Sequence, residues 1–337
     1  MGETRAADRK MPFSKSISIQ QAAERLRAGE LVAFPTETVY GLGANALDAN
    51  AVQKIYALKG RPATSPLIVH IASIEMAREC VSSWPEQADR LARRFWPGPL
   101  TLVLPKNSTI PDIVTAGLAT VGIRMPNHAI ALELIARAGV PLAAPSANRF
   151  TSLSPTTAAH VHAAFGDAVP VIDGGPCGVG IESTVVSLVN GPPELLRPGM
   201  ILFEDVLAAL DNNAPDQDKS DLLGSHPPVP SKSAREAHPS PGMHPRHYSP
   251  HTRLLLVHDA SQLPSLKGAY LWRTDPAALA GIPMPQDPAG YAALLYSALH
   301  QLDEQGWPWI AVELPPDTAE WAPIHDRLKR AAAKDSD

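Results

Sequence analysis

The chain has 337 residues, 45% of them hydrophobic and 19% charged, with a formal net charge of −5. That length accommodates two domains with a buried core. No apolar run reaches the roughly 18–20 residues needed to span a membrane, and a net acidic chain is not built chiefly to hold an RNA backbone.

Residues 1–10 are charged and lack the apolar h-region of a secretory signal. The two cysteines, Cys80 and Cys177, form no metal or redox spacing, so the expected location is the cytoplasm. The first predicted helix covers 20–28 and is closed by Gly29. Leu31-Val-Ala-Phe34 reads as a short buried strand. Phe34-Pro-Thr-Glu-Thr-Val-Tyr-Gly-Leu-Gly43 then breaks at Pro35 and collects hydroxyls, one carboxylate and two glycines, a composition that predicts a loop at a strand's carboxyl end. Asp48 caps a helix to Leu58. Strands are expected at 66–71, 100–104, 120–123, 140–144, 169–172 and 183–189, with helices at 85–95 and from 127 or 128 to 138. Ser154-Pro155 predicts a cap and an N1 proline ahead of a helix to Ala164.

Residues 211–250 are rich in Pro, Ser, Asp and His and carry no periodic apolar pattern; the chain has 35 prolines in all. A connection far longer than roughly 12–15 residues is functional or disordered. Beyond it, strands are expected at 253–258, 268–272 and 309–313, a helix from Asp287-Pro288 to about 304, and another over 318–333. The pattern predicts an α/β (α+β) chain, with a twisted-sheet domain over 15–210, a linker over 211–250 and a smaller Rossmann-like α/β domain over 251–333.

Three short motifs carry chemistry. Lys59-Gly-Arg-Pro62 ends a helix and offers a point charge and a planar fork for phosphate oxygens; the same pair is also ordinary at a helix terminus. Ser146-Ala-Asn148 follows a strand and supplies neutral donors, or simple turn residues. Arg124 closes the strand at 120–123, and its fork suits a carboxylate.

Taken with the segment at 34–43, these motifs resemble the YrdC-type threonylcarbamoyl-adenylate synthases in their longer, two-domain form, over roughly residues 15–330. The resemblance implies a nucleotidyltransferase that makes threonylcarbamoyl-AMP and pyrophosphate from L-threonine, bicarbonate and ATP, with magnesium as ATP's companion and no tightly bound cofactor. It implies hand-off of the product to a tRNA threonylcarbamoyl transferase complex, with direct tRNA binding weak or absent. Carried over by resemblance, Lys59, Arg61, Ser146 and Asn148 form the catalytic cluster. Thr38, His70, Arg124, Ala144 (through its backbone) and Ser183 would hold threonine. Arg61, Ser65, Thr120, Ser146, Ser154, Arg197 and Tyr248 would hold ATP. Ser65 stands where many relatives carry asparagine, which offers one donor more. Two other classes compete: an RNA-binding module and a carbamoyltransferase on the same fold.

Other signals are set aside. Gly41-Leu-Gly-Ala-Asn-Ala46 fits a degenerate dinucleotide pattern but does not directly follow a strand, and no acidic residue stands about 20 positions later. Gly174–Gly180 is glycine-rich and reads as a mobile loop. His238, His244, His247 and His251 lack the cysteines or helical spacing of a structural metal site, and no metal is assigned. Ser240-Pro-Gly-Met-His-Pro-Arg-His-Tyr-Ser-Pro250 is similar to the segment that covers the active site in two-domain relatives, where a lid excludes water from a labile carbamate and adenylate.

Overall fold

The structure of the chain is a computed structural model and describes residues 17–189, 191–211, 247–274 and 280–333. The first domain opens with helix α1 (Ile19–Arg27), which begins on a capping box between Ser18 and Gln21. Strands β1 (Val32–Phe34) and β2 (Gly41–Asn45) pair antiparallel, so Gly41, Leu42 and Gly43 lie in a strand. The loop expected over 34–43 is therefore shorter, ending at Tyr40. The reason is nonlocal. A Cβ at Gly43 would stand 2.8 Å from the Phe34 ring, so glycine is what lets β2 lie flat on β1.

Helix α2 (Ala49–Lys59) starts on the Asp48 carboxylate. Strand β3 (Ile68–His70), helices α3 (Ile74–Cys80) and α4 (Glu86–Phe95), strand β4 (Leu100–Pro105), the short helix α5 (Asp112–Thr115) and strand β5 (Thr120–Arg124) follow. Then come helix α6 (Ala129–Ala138), strand β6 (Leu142–Ala143), helix α7 (Ala158–Phe165), strands β7 (Thr184–Ser187) and β8 (Glu194–Arg197), and helix α8 (Phe203–Leu210). The sheet order is β1-β2-β6-β3-β5-β4-β7-β8. Only β3/β5 and β4/β7 run parallel, so the sheet is mixed. One large apolar core unites α2, α4 and the sheet's central strands. A second lies under α1 and α6.

Two further local expectations are corrected. The helix after Ser154 is capped by Thr157, whose side chain accepts from the His160 amide. Ser154 is fully buried and instead donates to Glu182 Oε1 at 2.6 Å. Residues 169–172 form no regular strand: Val171 makes an isolated bridge to Ala33. The amide of Ala33 donates to Pro170 O, and the amide of Ile172 donates to Ala33 O. Pro170 has no amide of its own to extend that ladder.

The second sheet is all parallel, in order β11-β10-β12-β9: β9 (Leu254–Val257), β10 (Ala269–Trp272), β11 (Ala280–Pro283) and β12 (Ile310–Glu313). Helices α9 (Pro288–Asp303) and α10 (Ala322–Ala332) complete it, and Asp287 caps α9 with Pro288 in its first turn. Its core also takes in Val39, Leu153 and Ile181 of the first domain and Tyr248. Among the described residues no helix is long and apolar enough to cross a membrane, and Cys80 and Cys177 are free and buried. Of the linker expected over 211–250, residues 212–246 lie outside the described residues, and with them lid residues 240–246, His238 and His244.

Candidate functional site

A cleft of about 530 Å³, solvent at its mouth included, opens between the loop after β1, one face of the first sheet, and the His247–Tyr248 pair. Thr36, Thr38, Arg61, His70, Arg124, Ser146, Glu182, Ser183, Arg197 and Tyr248 line it. Alternation places His70 and Arg124 on the same sheet face, and parallel pairing sets them side by side.

Arg124 is 3% exposed. Its Nη1 donates to Thr38 Oγ1 at 2.9 Å and its Nε to Gly98 O at 3.3 Å. Its Nη2 stands 2.6 Å from Glu37 Oε2, although neither atom is aligned for a hydrogen bond. The contact is an ion pair by distance alone. His70 beside it is buried, with no hydrogen-bond partner at Nδ1 among the described residues. Burial, and then the Arg124 charge, push its pKa down to about 3, so the imidazole is neutral at pH 7. Ser183 Oγ shares a 2.8 Å hydrogen bond with Thr101 and accepts from Arg197 Nη2 at 3.1 Å. Ala144 also lines the cleft, but its amide is taken by Ile68 O at 3.0 Å.

The cationic side rests on two buried bases, Lys59 and Arg61. Lys59 is 2% exposed and does not line the cleft. Its ammonium donates to Ser146 O at 2.6 Å and to the carbonyl of Asn148, with Asn148 Oδ1 at 3.3 Å. It therefore braces the loop that presents Ser146. Burial, and then the neighbouring Arg61, lower its pKa well below the usual lysine value. Asn148 accepts from Ser146 Oγ and donates to Ser152 O at 2.7 Å, which locks the same turn. Arg61 reaches the cleft wall. One guanidinium nitrogen donates to Ser65 Oγ at 2.6 Å and Pro66 O at 3.0 Å, and Nε has no hydrogen-bond partner among the described residues. Burial pushes its pKa down to about 10, which leaves it charged at neutral pH. Ser65 thus orients Arg61 and is not itself in the cleft wall.

Thr120 lies in an adjoining recess of about 290 Å³ with Thr101, Val103 and Gly122; Ile68 lines both spaces. Thr120, Gly122 and Arg124 alternate onto one face of β5, so the two hollows run along the same sheet face. Ser154 is outside the cleft wall. The segment 174–180 is tied down at several points: Tyr40 Oη donates to Gly175 O at 2.8 Å, the Cys177 amide to Thr156 O at 3.0 Å, and the Val179 amide to Glu37 O at 2.7 Å.

Residues 24–199 match the family model described as "Telomere recombination", that of Sua5, YciO and YrdC, and residues 203–333 match "Threonylcarbamoyl-AMP synthase, C-terminal domain". The chain belongs to the Sua5/YciO/YrdC family, in its two-domain form. A threonylcarbamoyl-AMP synthase of Pyrococcus abyssi is 50% identical over 240 residues, covering 71% of this chain and 67% of the relative. A threonylcarbamoyl-AMP synthase of Bacillus subtilis is 42% identical over 335 residues, covering 93% and 92%. The crystal structure of P. abyssi Sua5 complexed with L-threonine superposes with a TM-score of 0.83 at 40% identity, covering 94% of this chain and 96% of that one.

Several wall and support residues were not singled out from the sequence. Thr101 and Glu182 had no periodic signal, while Thr36 and Glu37 fell inside the 34–43 motif without an assigned role. Arg327 had one. It falls on the apolar stripe of α10 with Ile324, Leu328 and Ala331, where a charge has to find a buried partner.

Proposed function

We propose that this chain is a threonylcarbamoyl-AMP synthase. The amine of L-threonine and bicarbonate give a carbamate and water. A carbamate oxygen then attacks the α-phosphorus of ATP, and the bond to pyrophosphate breaks. Two anionic reactants must meet, so oriented donors and positive charge supply most of what the protein contributes. The carrying observation is one cleft lined by three arginines, the buried Arg124 together with Arg61 and Arg197. Similarity over nearly the whole chain to synthases of this name supports the same reading and disfavours the RNA-binding and carbamoyltransferase alternatives.

On this reading Arg124 and Thr38 take the threonine carboxylate. His70, neutral with a bare Nδ1, accepts from the ammonium or hydroxyl, and Ser183 bounds the same end. Arg61, Arg197 and Ser146 face the phosphates. Lys59 and Asn148 act by holding Ser146 in place. Thr120, in the recess beside Gly122 on the same sheet face, would approach the nucleotide from that side. Tyr248 covers the cleft from the linker's end. Magnesium would enter with ATP, coordinated mainly by phosphate oxygens and water. The product would pass to a separate transferase acting on tRNA.

Purified protein given ATP, magnesium, bicarbonate and L-threonine should release pyrophosphate and form threonylcarbamoyl-AMP, detectable by mass spectrometry. Pyrophosphate release that is the same without threonine or bicarbonate would reject the assignment.

A further inference from the structure

Glu182 lines a cleft that has to receive a triphosphate, and its buried carboxylate is held by Ser154, Tyr296 and Arg327, none of which lines that cleft. A bare negative charge there would repel the ligand. The structure answers it with a residue from the other domain. Arg327, on α10, is fully buried. Its Nε donates to Glu182 Oε2 at 2.8 Å and its Nη2 to Glu182 O at 3.1 Å. Tyr296 of α9 donates to Glu182 Oε2 at 3.1 Å, and Ser154 donates to Oε1. Arg327 also lies over the Tyr248 ring, 5.4 Å from its centroid. The next residue along, Ser183, accepts from Arg197: its carbonyl takes Nε at 3.0 Å and its hydroxyl takes Nη2.

We infer that Arg327 is a positioning residue through which the second domain readies the nucleotide half of the cleft. It pairs with Glu182 while its Nη1 also meets Asp326, itself paired with Arg330, so the cluster leaves Glu182 counter-charged, and it fixes the backbone at 182–183 on which Arg197 rests. The inference depends on the synthase reading for the identity of the anion. It gives the second domain a role in that chemistry: an undocked domain would leave Glu182 unpaired in the anion path. Docking is close at this point, because Gly180, two residues before Glu182, packs directly on the backbone of Ala292 and Ala293.

The full-length protein tests this with two variants, Arg327→Gln and Arg327→Gln/Glu182→Gln. The readouts are the ATP KM, the threonine KM, kcat, and the affinity for a non-hydrolysable ATP analogue by calorimetry. Arg327→Gln should raise the ATP KM and weaken the analogue about tenfold or more, with threonine KM moved less than threefold. The double variant should bring ATP affinity back to within about threefold of wild type, since the unpaired charge is gone. A merely structural role predicts no such recovery, and equal ATP defects in single and double variants would overturn the inference. Where Arg327→Gln is too unstable to assay, Arg327→Lys decides. It keeps the charge, so an ATP KM within threefold supports the inference and a tenfold rise overturns it. Wild type is assayed first, and inactivity there rejects the synthase reading instead.

Discussion

Arg124 and Glu37 are held 2.6 Å apart inside the protein, 4% and 10% exposed at their side chains, without the alignment of a hydrogen bond. Their charges balance each other, and Thr38 and Gly98 occupy Nη1 and Nε of the guanidinium. Removing one partner therefore does two separable things. Arg124→Ala should abolish measurable threonine binding while leaving the ATP analogue within several-fold. It should also cost about 3–5 kcal/mol of stability, because Glu37 stays buried without its counter-charge. Adding Glu37→Gln should restore part of the stability and none of the threonine binding. Calorimetry and denaturant melts measure both, and threonine binding retained by Arg124→Ala contradicts the assignment.

Lys59 touches the loop carbonyls at Ser146 and Asn148 and lies outside the cleft wall. Lys59→Ala should lower kcat by up to about 10²–10³-fold, the range for loss of one oriented donor, here Ser146 released from its braced loop. Threonine affinity should change little. Pre-steady-state pyrophosphate release checks it, and a defect confined to threonine KM counts against the role.

Gly180 adopts φ +80°, and a Cβ there would stand 2.4 Å from Ala292 O. Gly180→Ala should therefore cost at least about 1–3 kcal/mol from backbone strain alone, and the clash falls on the seam between the domains. Expected together are a lower unfolding midpoint and a higher ATP KM. An unchanged melt would show that the seam yields easily.

Tyr248 is 1% exposed and lines the cleft, and its hydroxyl has no hydrogen-bond partner among the described residues. Tyr248→Phe should keep the unfolding midpoint, and if the hydroxyl meets ATP it should raise the ATP KM several-fold. Tyr248→Ala should do more, letting water reach the adenylate and increasing AMP formation. Identical kinetics for wild type and both variants would remove Tyr248 from the site.

His160 and His300 stack across the domains with ring centroids 3.9 Å apart. Burial, and then His300, push the His160 pKa down to about 3; burial chiefly lowers that of His300. Both therefore stay neutral when folded over a range in which an unfolded histidine, near 6.5, takes up a proton. Below about pH 6.5 the unfolded state binds more protons, so stability falls as pH drops toward 3. His70 acts in the same direction. Denaturant melts at pH 7.5 and 5.0 should show a smaller loss for His300→Phe than for wild type. Equal losses would contradict it.

The sequence by itself determined what is local. Asp48, Asp287-Pro288 and the apolar runs at 66–71 and 100–104 mark helix starts and strands because caps and periodicity act within a few residues. The KxR, SxN and 34–43 motifs were legible in the same way, and with them the family. Only the tertiary structure decided what those residues touch. Ser154 reads as a helix cap, yet Glu182, 28 positions away, takes its hydroxyl. Gly41 and Gly43 read as loop, yet β1 recruits them as a strand. Lys59 reads as a point charge at a helix end, and its ammonium meets carbonyls 87 and 89 positions away. Arg327 meets Glu182 across 145 positions. A buried polar group takes the partner that folding brings within hydrogen-bond reach, and that partner's identity is set by sheet order and domain docking, not by nearby sequence.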